Sequence, residues 1–183
     1  MNKPAPQFHS ADGMVLWLTG LSGAGKTTLS RALWALLKPG LPELIVLDGD
    51  GVREMMGHDL GHDEQARAKQ VARLRSLAKF LSDQGHVVIV AAVYTRPDLT
   101  AESRRVLKGF FQVYLDTDLD AVKRRDTKGL YAAGKQVVGV DIPWHPPVDA
   151  DFIVKAAAGE APEAVARRIA AAVPRLARAL ESA

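Results

Sequence analysis

The stretch Gly20-Leu21-Ser22-Gly23-Ala24-Gly25-Lys26-Thr27 constrains this chain more than any other feature. It fits the pattern of a Gly, four residues, then Gly-Lys-Thr. It lies between an apolar run, Val15-Leu16-Trp17-Leu18, and a helical pattern from Thr28 to Leu37. Glycines at such a strand-to-helix turn let backbone N–H groups converge on an anion, and the helix N-terminus adds partial positive charge. The Lys26 ammonium can bridge β- and γ-phosphates, and the Thr27 hydroxyl can hold Mg²⁺. A chain with this turn in this setting is committed to a strand–loop–helix unit.

The remaining sequence repeats the alternation. Apolar runs at Leu44–Leu47, Val87–Val93, Phe110–Leu115 and Phe152–Val154 predict four further strands. Helical spacing predicts helices at Glu64–Gln84, Leu99–Leu107, Leu119–Arg125 and Pro162–Leu180, the last kinked or divided by Pro174. Strands that are continuous apolar runs separated by helices imply a parallel sheet covered on both faces. The expected fold is therefore α/β: a doubly wound, parallel five-stranded sheet. Residues 1–13 read as a polar tail and 14–183 as a single P-loop domain. The Gly- and Pro-containing segment at about 126–147 reads as a lid loop.

Composition narrows the class. At 183 residues, 48% hydrophobic, the chain suits one ordinary core. It has no Cys, which excludes a thiol nucleophile and a thiolate metal site. The net charge of +3 permits an anionic ligand without calling for nucleic acid. No run approaches a membrane span and the first ten residues lack a secretory pattern, so a cytoplasmic protein with no membrane partner is expected.

A phosphate loop does not by itself choose among switches, motors and kinases. The base-reading Asp of a switch GTPase is replaced by Leu130 in Thr127-Lys128-Gly129-Leu130. A motor's acidic pair is missing from the end of the Val87–Val93 run. A small kinase needs a carboxylate beside the acceptor hydroxyl and cations over the phosphates. Leu47-Asp48-Gly49-Asp50 supplies carboxylates at a strand end, with Asp50 the expected base and Asp48 supporting it. A turn signal is the competing reading. Arg53 lies one turn on. Lys123-Arg124-Arg125 and Lys128 can close over a triphosphate, or simply end a helix.

Taken together, these segments resemble the adenylylsulfate (APS) kinase family over about Met14 to Val154. The phosphate loop extended to Thr28, Leu47-Asp48-Gly49-Asp50 with Val52-Arg53, and Asp59-Leu60-Gly61 follow that family's pattern. So do Arg125-Asp126-x-Lys128-Gly129-Leu130-Tyr131 and Gly139-Val140-Asp141-x-Pro143. The resemblance implies transfer of the ATP γ-phosphoryl to the ribose 3′-hydroxyl of APS, a step of sulfate activation, with ATP and Mg²⁺ as cofactors. Residues 20–28 and Arg125 would contact ATP, Thr27 the metal. Asp50, Arg53, His62, Arg67, Gln70, Lys128, Gly129 and Leu130 would line the acceptor. Because the family is often dimeric, a homodimer is the assembly to test.

Departures from the family pattern cluster at the acceptor. The aromatic expected after Asp-Leu-Gly is His62, and a second aromatic falls on Val137. A family Asn falls on Gln70, an Arg on Ala72, and Ile-Ser-Pro-Tyr becomes Val93-Tyr94-Thr95-Arg96. Two alternatives therefore stay open. One is a same-fold kinase of another nucleotide conjugate, such as cytidine diphosphoramidate; the other is a non-catalytic nucleotide-binding module. His9, His58, His86 and His145 lack metal-ligand spacing and read as surface or turn residues. Trp17 and Trp34 are expected in the core, and Trp144 either covers a ligand or packs.

Overall fold

A computed structural model describes residues 13–126, 129, 131, 136–155 and 160–181. Five strands, β1 (Met14–Thr19), β2 (Leu44–Asp48), β3 (Val87–Ala92), β4 (Phe110–Asp116) and β5 (Phe152–Lys155), form one sheet in the order β2-β3-β1-β4-β5. Every pairing is parallel. The central strand β1 and its neighbour β3 are buried at every position, as a sheet covered on both faces requires.

The helices are α1 (Lys26–Leu37), α2 (Gly49–Met55), α3 (Glu64–Asp83), α4 (Pro97–Val106), α5 (Leu119–Arg125), α6 (Pro162–Ala172) and α7 (Pro174–Glu181). The chain crosses one way from β1 to β2 and returns from β2 to β3. Right-handed crossovers then place α1 and α3 on opposite faces. Helices α6 and α7 pack on α1, while α4 packs beside α3. The expected doubly wound α/β fold is thus the observed one. Val173, with extended backbone, separates α6 from α7 at the predicted Pro174 break.

Two expectations need correction. Trp34 is 45% exposed: α1 buries Leu29, Ser30, Leu33 and Leu37, and Trp34 falls beside that stripe. Residues 49–55, to which the sequence pattern assigns no element, form the helix α2. Asp48 is its N-cap, and Oδ1 accepts the N–H groups of Asp50 (3.0 Å) and Gly51 (3.2 Å). Trp17 is core as expected. Trp144 packs its ring against Tyr114, with centroids 6.2 Å apart, instead of lining the cleft described next.

Candidate active site at the carboxyl edge of the sheet

Parallel strands deliver all their carboxyl ends to one edge, and a cleft of about 710 Å³ opens there. The phosphate loop leaves β1, Asp48 ends β2, Tyr94 follows β3, and α5 begins shortly after β4. Gly23 and Gly25 have φ of 78° and 97°, a region L side chains rarely adopt, so glycine is required for this turn. A Cβ on Gly25 would meet nothing within 4 Å, so its open side is free for a ligand. The loop is seated from behind by Leu21 and Ala24, both in the core. The Lys26 ammonium is buried and donates to the carbonyls of Gly20 (2.9 Å) and Leu21 (2.7 Å).

One hydrogen bond joins this loop to the acidic turn. Thr27 Oγ1 donates to Asp48 Oδ2 at 3.0 Å. Asp48 thereby uses one oxygen to start α2 and the other to meet the phosphate loop. The pair also passes a test for Mg²⁺. Its hydroxyl and carboxylate are hard oxygens at the base of the loop, and Mg²⁺ in such sites takes one or two protein oxygens plus phosphates and water. Asp50, two residues on, lines the same cleft.

Beyond Asp50 the wall is cationic. Arg53 is buried and donates through one nitrogen to the carbonyls of Leu60 and Gly61, both at 2.8 Å, fixing the loop that carries His62. Arg67 donates to His62 O at 2.8 Å and, across the cleft mouth, to Gln136 O at 2.7 Å. Burial, then the neighbouring charges of Arg53 and Arg67, hold the His62 imidazole below its usual 6.5, so it is neutral at pH 7. Gln70 is buried and donates to Gly49 O at 3.0 Å, bracing the start of α2. Tyr94 donates to Glu64 Oε1 at 2.8 Å, and burial with that carboxylate pushes its phenol up to about 12.

Of the residues singled out from sequence, Ser22, Gly23, Gly25, Lys26, Thr27, Thr28, Asp48, Asp50, Arg53, His62, Arg67, Gln70 and Arg125 line the cleft, whereas Gly20, Leu21 and Ala24 do not. Gly129 is exposed and donates to Asp126 O; it is not among the cleft-lining residues. Lys128 and Leu130 lie outside the described residues, as does part of the expected lid. His58 and Gln136 also line the cleft. His58 sits in a turn with φ of 55°, as its reading as a turn residue anticipated, but its place on the cleft gave no sequence signal. The turn at Val137–Ile142 is organised by Asp141, whose Oδ2 accepts the Val137 N–H at 3.2 Å. Gly139 lets that turn press on Leu21 and Leu119, which a Cβ would approach at 3.1 and 3.3 Å.

Comparison with known proteins gives a consistent picture. The family described as adenylylsulphate kinase matches residues 12–155. A cytidine diphosphoramidate kinase of Campylobacter jejuni is 41% identical over 145 residues, covering 76% of this chain and 84% of that protein. An adenylyl-sulfate kinase of a Synechococcus species is 36% identical, covering 85% and 92%. Among solved structures, the APS kinase of Mycobacterium tuberculosis, in complex with AMPPNP and APS, superposes with a TM-score of 0.81 at 33% identity. It covers 89% of this chain and 98% of that one. No helix among the described residues is long and apolar enough to cross a membrane.

Proposed function

This chain belongs to the adenylylsulphate kinase family and is a phosphotransferase that uses ATP, and we propose that, with Mg²⁺, it phosphorylates the ribose 3′-hydroxyl of adenylylsulfate. The observation that carries this reading is the 3.0 Å bond from Thr27 to Asp48. It sets the Asp-Gly-Asp turn against the phosphate loop, so a γ-phosphoryl held by the loop and a hydroxyl held by the turn meet.

In this reading Lys26 and the loop N–H groups hold the β- and γ-phosphates. Thr27 and Asp48 would hold Mg²⁺, which supplies charge neutralisation between the phosphoryl oxygens when bound. Asp50 accepts the proton of the acceptor hydroxyl. Arg53 and Arg67 give the acceptor's anionic group a cationic wall, and Arg125 faces the triphosphate from α5. Of the expected lid, residues 136–147 border the site through Gln136, Val137 and Val138.

A second reading is favoured by His62 and Val137. Val137 is a buried aliphatic cleft residue and His62 a neutral imidazole, both at positions where an aromatic pair would hold adenine. A pyrimidine conjugate of the cytidine diphosphoramidate kind needs less stacking surface. A coupled ADP-release assay with adenylylsulfate and cytidine diphosphoramidate separates the two. Saturable release with adenylylsulfate supports the first reading. Release only with the cytidine conjugate supports the second, and ATP hydrolysis indifferent to both overturns both.

A further inference from the structure

Tyr131 is a half-buried phenol that does not line the cleft, yet its Oη donates to the carbonyl oxygen of Ser22 at 2.9 Å. The two residues are 109 positions apart, and the contact lands inside the phosphate loop. The Tyr131 backbone is itself fixed, because its N–H donates to Asp126 Oδ1 at 3.2 Å. Asp126 in turn donates its N–H to Val122 O at the end of α5 and directly follows the cleft residue Arg125. Asp126 is thus tied to α5 and Tyr131 to the phosphate loop.

A trans peptide is planar, with the C=O of one residue and the N–H of the next pointing in opposite directions. Holding the Ser22 carbonyl on the phenol therefore fixes the direction of the Gly23 N–H. Gly23 has φ of 78° and lines the cleft. The turn closes on a backbone bond from the Ala24 N–H to Leu21 O at 3.1 Å, which uses neither group of the Ser22–Gly23 peptide. Glycine has the freedom to let it flip. Burial and the Asp126 carboxylate raise the phenol's pKa above its usual value, so it stays protonated as a donor.

We propose that Tyr131 is a positioning residue for the triphosphate site: it holds the Ser22–Gly23 peptide with its N–H turned toward the nucleotide. This depends on the use of ATP and not on which conjugate accepts the phosphoryl group. The test is ADP binding to the full chain by calorimetry, without acceptor, for wild type, Tyr131→Phe and Tyr131→Leu. The Phe variant keeps the ring and removes only the hydroxyl. Its Kd for ADP is expected to rise about three- to tenfold, the worth of one hydrogen bond. The Gly23 ¹⁵N resonance, sensitive to a bond on the preceding carbonyl, shifts in the nucleotide-free protein. KM for ATP rises in parallel. Wild-type ADP affinity in Tyr131→Phe, with an unmoved Gly23 resonance, overturns the proposal. That holds even if Tyr131→Leu binds poorly, since the ring and not the hydroxyl would then be what matters.

Discussion

Asp48 and Asp50 stand two residues apart and are asked for different work. Asp48 spends both oxygens on the protein, one on the N–H groups that begin α2 and one on Thr27. Asp50 lines the cleft within electrostatic reach of His62 and Arg67, where an acceptor would lie. Asp50→Asn is therefore expected to abolish phosphoryl transfer while calorimetry finds ATP binding nearly unchanged; undiminished turnover would remove Asp50 as the base. His62 carries a second prediction. If adenylylsulfate is the acceptor, His62→Phe restores an aromatic face worth about 1–3 kcal/mol per stacked base, read as a lower KM for adenylylsulfate. His62 also has a pH signature. Its folded pKa lies below 6.5, so the unfolded chain takes up a proton more readily. The stability it contributes is complete above that value and is lost as pH falls through the folded pKa. Urea unfolding of wild type against His62→Phe should show the wild type losing ground below about pH 6.5 and not above it.

At the level of elements, the connection from α1 to β2 depends on a close approach. A Cβ on Gly40 would clash with the carbonyl oxygen of Ala179, so α7 crosses directly over this turn. Gly40→Ala is expected to destabilise the protein by about 1–3 kcal/mol in urea unfolding, as overpacking against backbone does. An unchanged midpoint would show that α7 yields freely. The same turn illustrates what the sequence can reveal. Pro39-Gly40 announces the end of α1, but nothing in it announces α7. Strands such as Val87–Ala92 are legible because continuous apolar runs leave one structural option. Helix α2 is not, because its seven residues, two of them Gly, are too few to show an apolar period. Its Asp48 cap reads equally well as a turn, and the physical difference is made by contacts with α3, including Gln70 on Gly49 O. Trp34 misleads for a related reason: one step off a buried stripe is enough to place a large apolar side chain in solvent.

At the scale of the whole molecule, the cleft is made by contacts between segments far apart in sequence. The motif at 20–27 identifies the nucleotide end from local pattern alone. The end proposed to take the acceptor rests on pairings such as Arg67 with Gln136, 69 residues away, which no local pattern encodes. Arg67 leaves α3 and donates to carbonyls on both walls, His62 O on one loop and Gln136 O beside the Val137–Ile142 turn on the other. Its guanidinium suits this role because a planar fork can serve two acceptors in fixed directions, whereas an ammonium offers one compact point of charge. Burial lowers the Arg67 pKa without removing its charge, so the charge stays within the cleft. Arg67→Lys keeps that charge and breaks the span. Two consequences should appear together. KM for the acceptor rises by about tenfold, with KM for ATP unchanged, because the hydrogen bonds lost are at the acceptor end. Amides of Val137–Ile142 exchange faster in the nucleotide-free protein, because the turn loses its tie to the opposite wall. A raised acceptor KM with unchanged exchange would make Arg67 a simple substrate contact. Faster exchange with unchanged KM would make the span structural only. Both effects together are what a residue that closes the acceptor end and also binds its ligand must produce.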